Sequence, residues 1–290
     1  MSYEIKSEDH KTVAILTDTT LCTGCEACVR ACKEVNHLGD DRAWRWKQRI
    51  DDLSSTRFST INRRPHNHFV RMQCRHCRQP ACVSACIVGA LQKTPEGPVI
   101  YDEKRCMGCR YCMMACPYGI PRYSWEDNVP IVRKCTMCYP RIKEGKQPAC
   151  TEACPYGATR FGTRAEMIAL ANLRFLEYPG KYYTPPGATQ PKLYGHSEVG
   201  GVGVLYISDI ALDFLSWQPE LGDKPLPALT WAALSKVPPI VLTVAAAMSG
   251  LYWFVGRRNR VMEQEQARAE GGRALPVIQP GANGKVEEAR

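Results

Sequence analysis

The chain has 290 residues, of which 44% are hydrophobic, and this length excludes more than one or two domains of ordinary size. Its formal net charge of +9 raises the possibility that it binds nucleic acid. Sixteen of the residues are cysteines, and their arrangement gives the charge a different meaning.

Short apolar segments predict small strands along the first half of the chain. They cover residues 13–16, 69–72, 98–101 and 131–133, and each lies just before a group of cysteines. Strands this short cannot build a large sheet with a conventional core. We therefore expect bound groups, rather than a large apolar core, to hold this region together.

All sixteen cysteines fall into four groups of four, and none is left over. The first and third groups have the spacing C-x2-C-x2-C-x3-C, which is the ligand run of bacterial [4Fe-4S] proteins. The second and fourth groups are stretched to C-x2-C-x4-C-x3-C and C-x2-C-x11-C-x3-C, but keep the closing C-x3-C. In chain order the groups are Cys22, Cys25, Cys28 and Cys32; Cys74, Cys77, Cys82 and Cys86; Cys106, Cys109, Cys112 and Cys116; Cys135, Cys138, Cys150 and Cys154.

This spacing has a physical reason. Two-residue gaps let the backbone curl around one iron–sulfur cube, while the last cysteine ligates the neighbouring cluster, so such runs work in pairs. Four runs predict two pairs and four [4Fe-4S] clusters, with all sixteen cysteines as iron ligands. The fold class predicted is α+β, with ferredoxin-like domains between about residues 12 and 164.

Three other uses of cysteine fit this arrangement less well. Zinc is normally closed by two C-x2-C pairs, which leaves no role for a third cysteine at the same spacing. Cysteines three residues apart in a tight loop make poor long-range disulfides. The C-x3-C-x2-C motif of radical enzymes does not occur in the chain.

Bound clusters weaken the inference of nucleic-acid binding from the net charge. An oxidised [4Fe-4S] cube with four thiolates carries about −2, so four cubes bring the holoprotein from +9 to about +1. The arginines between residues 42 and 78 then have an internal counter-charge, and we expect no nucleic-acid partner.

Three other residues near the first two groups invite interpretation. Trp44 and Trp46 could form a docking surface or could pack the insertion between these groups. His76 lies inside Cys74-Arg-His-Cys77, a group that already has four thiolates, so we expect it beside the site or on the surface rather than as an iron ligand.

Beyond residue 164 the character of the sequence changes. Residues 164–174 have helical spacing, and a proline- and glycine-rich run covers residues 178–203. We expect residues 176–236 to be an extended segment that wraps a partner.

Residues 237–255 contain no charge and predict a transmembrane helix. At about 1.5 Å per residue they span roughly 28 Å, enough for a bilayer core. A buried core helix is the alternative, but Tyr252 and Trp253 suit a membrane interface, and Arg257, Arg258 and Arg260 end the apolar run. Arginines directly after the span predict a cytoplasmic C-terminus and place the cluster domain in the periplasm.

The N-terminal residues 1–20 contain charged residues throughout, without an apolar signal core or a twin-arginine pair. Because clusters are inserted in the reducing cytoplasm, we expect the folded protein to cross the membrane bound to a signal-bearing partner. The residues after the span, 257–290, are expected to form a disordered cytoplasmic tail.

The motifs Cys106-Met-Gly-Cys-Arg-Tyr-Cys-Met-Met-Ala-Cys-Pro117, Arg133-Lys-Cys-Thr-Met-Cys138 and Gly200-Gly-Val-Gly-Val-Leu-Tyr206 carry a resemblance. With the four cysteine groups and one C-terminal span, the chain resembles the electron-transfer subunits of membrane-bound respiratory formate dehydrogenases and uptake [NiFe] hydrogenases. The resemblance covers about residues 12–258.

That resemblance implies two nested ferredoxin-like domains. Residues 1–67 and 126–175 would form the outer domain, residues 68–125 the inserted domain, and residues 237–256 the span. The implied cluster ligands are four sets: Cys22, Cys25, Cys28 and Cys154; Cys32, Cys135, Cys138 and Cys150; Cys74, Cys77, Cys82 and Cys116; Cys86, Cys106, Cys109 and Cys112.

The resemblance also implies the role of the chain. It would be a non-catalytic subunit that conducts electrons between a catalytic subunit, holding a molybdenum or tungsten pterin or a [NiFe] site, and a membrane cytochrome b or other quinone-reactive subunit in the bacterial inner membrane. The alternatives left open are a subunit of another molybdopterin oxidoreductase and a soluble-type polyferredoxin with structural clusters.

Overall fold

The computed structural model describes residues 3–39, 53–125, 127–216 and 221–271, and Trp44 and Trp46 lie outside them. The chain divides into two compact units, Met1–Trp231 and Ala232–Arg290. The strands are β1 (Val13–Asp18), β2 (Ser59–Arg64), β3 (His68–Gln73), β4 (Leu91–Lys93), β5 (Val99–Tyr101), β6 (Arg122–Tyr123), β7 (Val132–Arg133), β8 (Thr159–Thr163) and β9 (Val204–Ile207). The α-helices are α1 (Ala27–Val35), α2 (Ala81–Ser84), α3 (Tyr111–Ala115), α4 (Tyr139–Lys143), α5 (Ala149–Glu152), α6 (Arg164–Glu177), α7 (Leu226–Leu234) and α8 (Val237–Gly271).

A repeated unit of strand, cysteine loop and short helix organises the first half of the chain. Strands β1, β3, β5 and β7 each lead into one cysteine group, which confirms the four predicted strands. Three two-stranded antiparallel hairpins, β2–β3, β4–β5 and β6–β7, support these loops. The strands are short because each only has to deliver one loop.

One three-stranded sheet, in the order β8-β1-β9, joins the ends of this unit. Strand β1 pairs antiparallel with β8, with Ile15 opposite Phe161, and parallel with β9, with Ile15 opposite Val204. Side chains alternate between its two faces. Ala14 and Leu16 pack toward α6, whereas Ile15 faces a core that contains cysteine side chains.

Helix α6 is capped by its own sequence and confirms the helix predicted from residue 164. The Glu166 amide donates to Thr163 Oγ1 at 3.2 Å, and the Thr163 amide donates to Glu166 Oε2 at 2.8 Å. This reciprocal capping box satisfies two amides that the first turn would leave free. The buried Arg164 then pairs with the buried Asp9 at 2.9 Å, which ties the helix to the N-terminal segment.

The segment predicted to wrap a partner differs from that expectation. Strand β9 lies inside residues 176–236, and all four of its residues are buried in this chain's own sheet. The reason is the run Val202-Gly-Val-Leu-Tyr-Ile207, which is apolar on both faces, as a strand covered on both sides requires. This part of the segment therefore completes the fold of its own chain.

The second unit contains helix α8, which includes the predicted span. The helical stretch Leu226–Ala269, which takes in α7 and most of α8, is long and apolar enough to cross a membrane. Helix α8 continues to Gly271, although the sequence predicted a disordered tail from residue 257. Residues 261–270 are rich in Ala, Glu, Gln and Arg, which favour helix, and this explains the difference.

Candidate functional site

Cysteines that are far apart in sequence meet around one cavity at the end of strand β1. This cavity, about 390 Å³ with its open mouth, is lined by Cys22, Cys25, Cys28 and Cys154. The first three thiols come from the loop after β1 and from helix α1, and the fourth from the loop before β8. Because β8 pairs with β1, the sheet itself brings Cys154 to the first group.

Two further cavities lie within the hairpins between residues 68 and 134. One, of about 290 Å³, is lined by Cys74, Cys77, Cys82 and Cys116. The other, of about 310 Å³, is lined by Cys86, Cys106, Cys109 and Cys112. The second and third cysteine groups therefore exchange their last members.

The remaining four cysteines, Cys32, Cys135, Cys138 and Cys150, act on one another electrostatically. Burial raises the pKa of Cys135 well above its ordinary value, and the charges of Cys32, Cys138 and Cys150 raise it further. Burial likewise raises the pKa of Cys32 to about 12, with Cys150 as the next contributor. Cys32 and Cys135 therefore resist ionisation in the fold, and a bound cation would be needed to hold them as thiolates.

Helix geometry explains how one C-x3-C pair serves two sites. Cys28 and Cys32 both lie in α1, and four residues advance a helix by about 6 Å. The first thiol therefore lines one cavity while the second reaches the next set. The other three groups are similar: Cys82, Cys112 and Cys150 lie in α2, α3 and α5, and Cys86, Cys116 and Cys154 follow just after these helices end.

Interactions between the sets give their order. Burial raises the pKa of Cys28, and Cys150 of the neighbouring set raises it further. Cys74 contributes in the same way to the raised pKa of Cys135, and Cys112 to that of Cys82, whose pKa burial raises to about 12. The four sets are thus neighbours in a series that runs from the Cys22 set through the Cys32 and Cys74 sets to the Cys86 set.

The first C-x2-C loop of each cysteine group has the same backbone feature. In each loop the residue before the second cysteine has a left-handed backbone: Gly24 at φ +73°, His76 at +48°, Gly108 at +72° and Met137 at +57°. This turn directs successive amides and thiols toward the inside of the loop. At Gly24 no other residue fits, because an added Cβ would lie 2.5 Å from the Phe69 ring.

Buried cations accompany three of the four sets. Arg71 lines the Cys22 cavity and donates from Nε to Ser59 Oγ at 3.0 Å. Burial alone would lower its pKa, but the Cys150 and Cys28 thiolates raise the pKa above its ordinary value. Lys134 and Arg75 line the Cys74 cavity, and Lys134 Nζ donates to the Cys135 carbonyl oxygen at 2.9 Å.

Polar hydrogens also point at individual sulfurs. The Met137 amide donates to Cys135 Sγ at 3.3 Å and the Ile120 amide to Cys116 Sγ at 3.5 Å. Asn36 Nδ2 donates to Cys32 Sγ at 3.7 Å. Donors of this kind stabilise sulfur that carries negative charge.

The donor sets fit an iron–sulfur cluster better than a single ion. Each cavity is lined by four thiols, which is the ligand number of a [4Fe-4S] cube. Among the described residues, no three His, Cys, Asp or Glu side chains converge closely enough to hold one metal ion. The thiols stand around a space instead of meeting at a point, as a polynuclear group requires.

Sequence reasoning identified the cysteines but missed the buried cations. Arg71, Arg75 and Lys134 are each at most 3% exposed, although charge in these positions usually indicates a solvated surface. The one signal for Arg71 is its place in strand β3, where it shares a face with the half-buried Phe69 and the buried Gln73. His76, expected beside the site or at the surface, is buried and lines the Cys74 cavity.

Comparisons with known proteins agree with this chemistry. Residues 66–164 match the family model described as a 4Fe-4S dicluster domain. The formate dehydrogenase-O iron-sulfur subunit of Escherichia coli K12 is 34% identical over 269 residues, which cover 87% of this chain and 86% of that subunit. The hydrogenase-2 operon protein HybA of Escherichia coli O157:H7 is 35% identical over 73% of this chain and 74% of its own length. A probable anaerobic dimethyl sulfoxide reductase chain, YnfG of Escherichia coli K12, is 41% identical over 52% of this chain and 73% of its own length.

Proposed function

The chain belongs to the family of iron–sulfur electron-transfer subunits of oxidoreductase complexes, and from that premise we propose that it conducts electrons between a catalytic subunit and a quinone-reactive membrane subunit. The observation that carries the proposal is the serial arrangement of four thiol sets, each with four members. Thiol sets of this kind hold one-electron carriers, so the proposed role is conduction rather than catalysis.

The proposed ligands follow these sets. Four [4Fe-4S] clusters, when bound, supply one-electron redox centres. The chain's own part is to space them and to set their potentials through burial, hydrogen bonds and buried cations such as Arg71 and Lys134. The ligand sets are Cys22, Cys25, Cys28 and Cys154; Cys32, Cys135, Cys138 and Cys150; Cys74, Cys77, Cys82 and Cys116; Cys86, Cys106, Cys109 and Cys112.

Nesting of two ferredoxin-like domains is part of the proposal. The Cys74 and Cys86 sets draw only on residues between 74 and 116, whereas the Cys22 and Cys32 sets combine residues from before and after that stretch. An inserted domain of residues 68–125 inside an outer one accounts for this pattern. The parallel pairing of β9 with β1 adds residues 204–207 to the outer domain.

The catalytic partner is proposed to hold either a [NiFe] site or a molybdenum or tungsten pterin, because relatives carry the names of hydrogenase and formate dehydrogenase components. The match to a dimethyl sulfoxide reductase chain favours a second candidate, another molybdopterin oxidoreductase. Metal analysis of the purified complex distinguishes these candidates. Nickel would indicate a hydrogenase, and molybdenum or tungsten would indicate a formate dehydrogenase or another molybdopterin oxidoreductase.

Helix α8 is proposed to anchor the chain in the inner membrane. Its apolar part is followed by Arg257, Arg258 and Arg260, and positive residues flank spans on the cytoplasmic side. The first unit, Met1–Trp231, carries all sixteen cysteines and is therefore called the cluster unit; it then lies in the periplasm. Protease added to spheroplasts should cleave the cluster unit and spare the C-terminal residues. Cleavage of the C-terminal residues alone would indicate the opposite orientation in the membrane.

Donor-driven reduction of the purified complex tests the conduction role. Under anaerobic conditions, hydrogen or formate should bleach the visible absorbance of the clusters, and a quinone analogue should restore it. Clusters that stay oxidised with every donor, although the catalytic subunit turns over with an artificial dye, would mean that they are structural.

A further inference from the structure

His76 has one ring nitrogen in use and one without a partner. Its side chain is 1% exposed and lines the cavity of Cys74, Cys77, Cys82 and Cys116. Nδ1 accepts a hydrogen bond from the Val99 amide at 2.9 Å. Nε2 is buried and has no hydrogen-bond partner among the described residues.

The bond to Val99 fixes the tautomer. A nitrogen that accepts from a backbone amide carries no proton, so the ring proton lies on Nε2. Nε2 is therefore a donor inside the protein. Buried donors are normally paired, and an unpaired buried donor destabilises the fold. We therefore expect the Nε2–H group to donate to an acceptor bound in the cavity.

His76 lies at a backbone position that normally suits glycine. Gly24 and Gly108 occupy the same position in their C-x2-C loops, where the left-handed backbone suits glycine. A histidine at φ +48° accepts strain that a glycine would avoid. The turn itself does not require a side chain at this position. We therefore attribute the presence of histidine in the Cys74 loop to a role of its imidazole.

Neighbouring groups hold the loop in this arrangement. The Gly203 amide, just before strand β9, donates to the His76 carbonyl oxygen at 3.2 Å. Lys93 Nζ donates to the carbonyl oxygens of His76 at 3.3 Å and Cys77 at 2.8 Å. The imidazole is consequently fixed from the backbone side as well as through Nδ1.

We propose that His76 is a positioning residue whose Nε2–H donates to a sulfur of the cluster held by Cys74, Cys77, Cys82 and Cys116, and that this bond raises the reduction potential of that cluster. The inference rests on the proposed cluster set. A hydrogen bond to cluster sulfur stabilises the reduced state, which carries one more negative charge than the oxidised state. Of the four residues that precede the second cysteine of each group, His76 alone has a side chain that donates a hydrogen bond, because the methionine side chain has no polar hydrogen and the other two residues are glycines.

The test uses the full chain in its purified complex and compares three variants. His76→Gly removes the donor and relaxes the backbone. Met137→Gly is the matched control, because it relaxes the equivalent left-handed position without removing a donor. His76→Gln offers an amide N–H near the position of Nε2 and serves as the conservative variant.

Redox titration followed by electron paramagnetic resonance provides the readout. His76→Gly should lower the midpoint potential of one cluster so that its reduced-to-oxidised ratio at a fixed potential falls about tenfold, which is 59 mV for a one-electron centre. Met137→Gly should leave that potential unchanged, and His76→Gln should recover most of it. Unchanged midpoints in His76→Gly, or an equal shift in Met137→Gly, would overturn the proposal.

A direct measurement covers the case in which His76→Gly fails to assemble. Electron–nuclear double resonance on the wild-type complex, with histidine labelled in heavy nitrogen, should detect a coupled histidine nitrogen at one reduced cluster. Absence of such a coupling would overturn the proposal. Iron analysis of the same wild-type sample distinguishes failure of the His76 proposal from failure of the conduction proposal. A full cluster content without a histidine coupling would refute the role of His76 and leave the conduction role unaffected.

Discussion

At the scale of single residues, the sites depend on a few side chains that the cysteine spacing does not reveal. Gly24 must be glycine because the Phe69 ring leaves no room for a Cβ, and His76 and Met137 take the same backbone despite their side chains. The cysteine groups were predictable from spacing, because cluster chemistry dictates it. The buried cations were not, since a charge becomes favourable inside a protein only when its counter-charge is there too.

Arg71 gives the first prediction. It lies beside thiols of both the Cys22 and Cys32 sets, so Arg71→Leu removes a positive charge that both clusters feel. By Coulomb's law at an effective dielectric constant of about 20, the reduced states should lose on the order of 1–2 kcal/mol of stabilisation. Redox titration should find two midpoint potentials lowered. Arg63→Leu is the control, because Arg63 is exposed on the same hairpin and its charge is screened by solvent; equal shifts in both variants would contradict the role of Arg71.

At the scale of elements, the strand, loop and helix repeat follows from the sequence, but its closure does not. Four short strands and helix α6 were predictable from local apolar patterns and from the Thr163 to Glu166 capping box. The pairing of strand β9 was not, because its apolar run indicates a buried strand but not which strand it joins, and its parallel partner β1 lies about 190 positions away. The tail after residue 257 was predicted from charge, whereas helix propensity decides its structure as far as Gly271.

Leu205 tests whether β9 is part of the core. Its side chain is fully buried between the sheet and α6, so Leu205→Ala should cost about 2–5 kcal/mol of stability. Leu173→Ala is the matched control, because Leu173 is 50% exposed on α6 and should change stability by about 0.5 kcal/mol or less. The measurement is anaerobic loss of cluster absorbance in guanidinium, and equal midpoints for the two variants would mean that β9 is dispensable.

At the scale of the whole molecule, the cluster unit is built around its thiols. Its largest core includes Cys28, Cys74 and Cys150 side by side with Ile15, Val70 and other apolar residues. Burial raises the pKa of thiols such as Cys32 and Cys135, so bound iron is what would make their close approach as thiolates favourable. Membership of an electron-transfer family could be predicted from sequence, whereas the donor could not, because conduction does not depend on where the electrons originate.

Removal of iron should therefore unfold the cluster unit. Treatment of the chain in detergent with a chelator and an oxidant should abolish the β-sheet signal of far-ultraviolet circular dichroism and leave the signal of helix α8, which needs no metal. The matched sample receives the chelator without oxidant and should keep its spectrum. Retention of the sheet signal after complete iron loss would mean that the apolar core suffices.

The second unit gives a prediction about solubility. In α8 the large apolar side chains are exposed, including Leu242 at 70% and Phe254 at 61%, which a chain in water avoids. A chain that ends after Lys236 should be extracted without detergent and keep its full iron content, while the full chain should need detergent. A full chain that is soluble without detergent would contradict the membrane anchor.

The central claim is that four clusters form one conducting series, and redox titration of the full-length chain in its complex, followed by electron paramagnetic resonance with spin counting, tests it most directly. The account predicts that four one-electron centres become reduced in turn, with magnetic coupling between neighbours, within the range that separates the electron donor from quinone. Reduction of fewer than two centres within that range would contradict it.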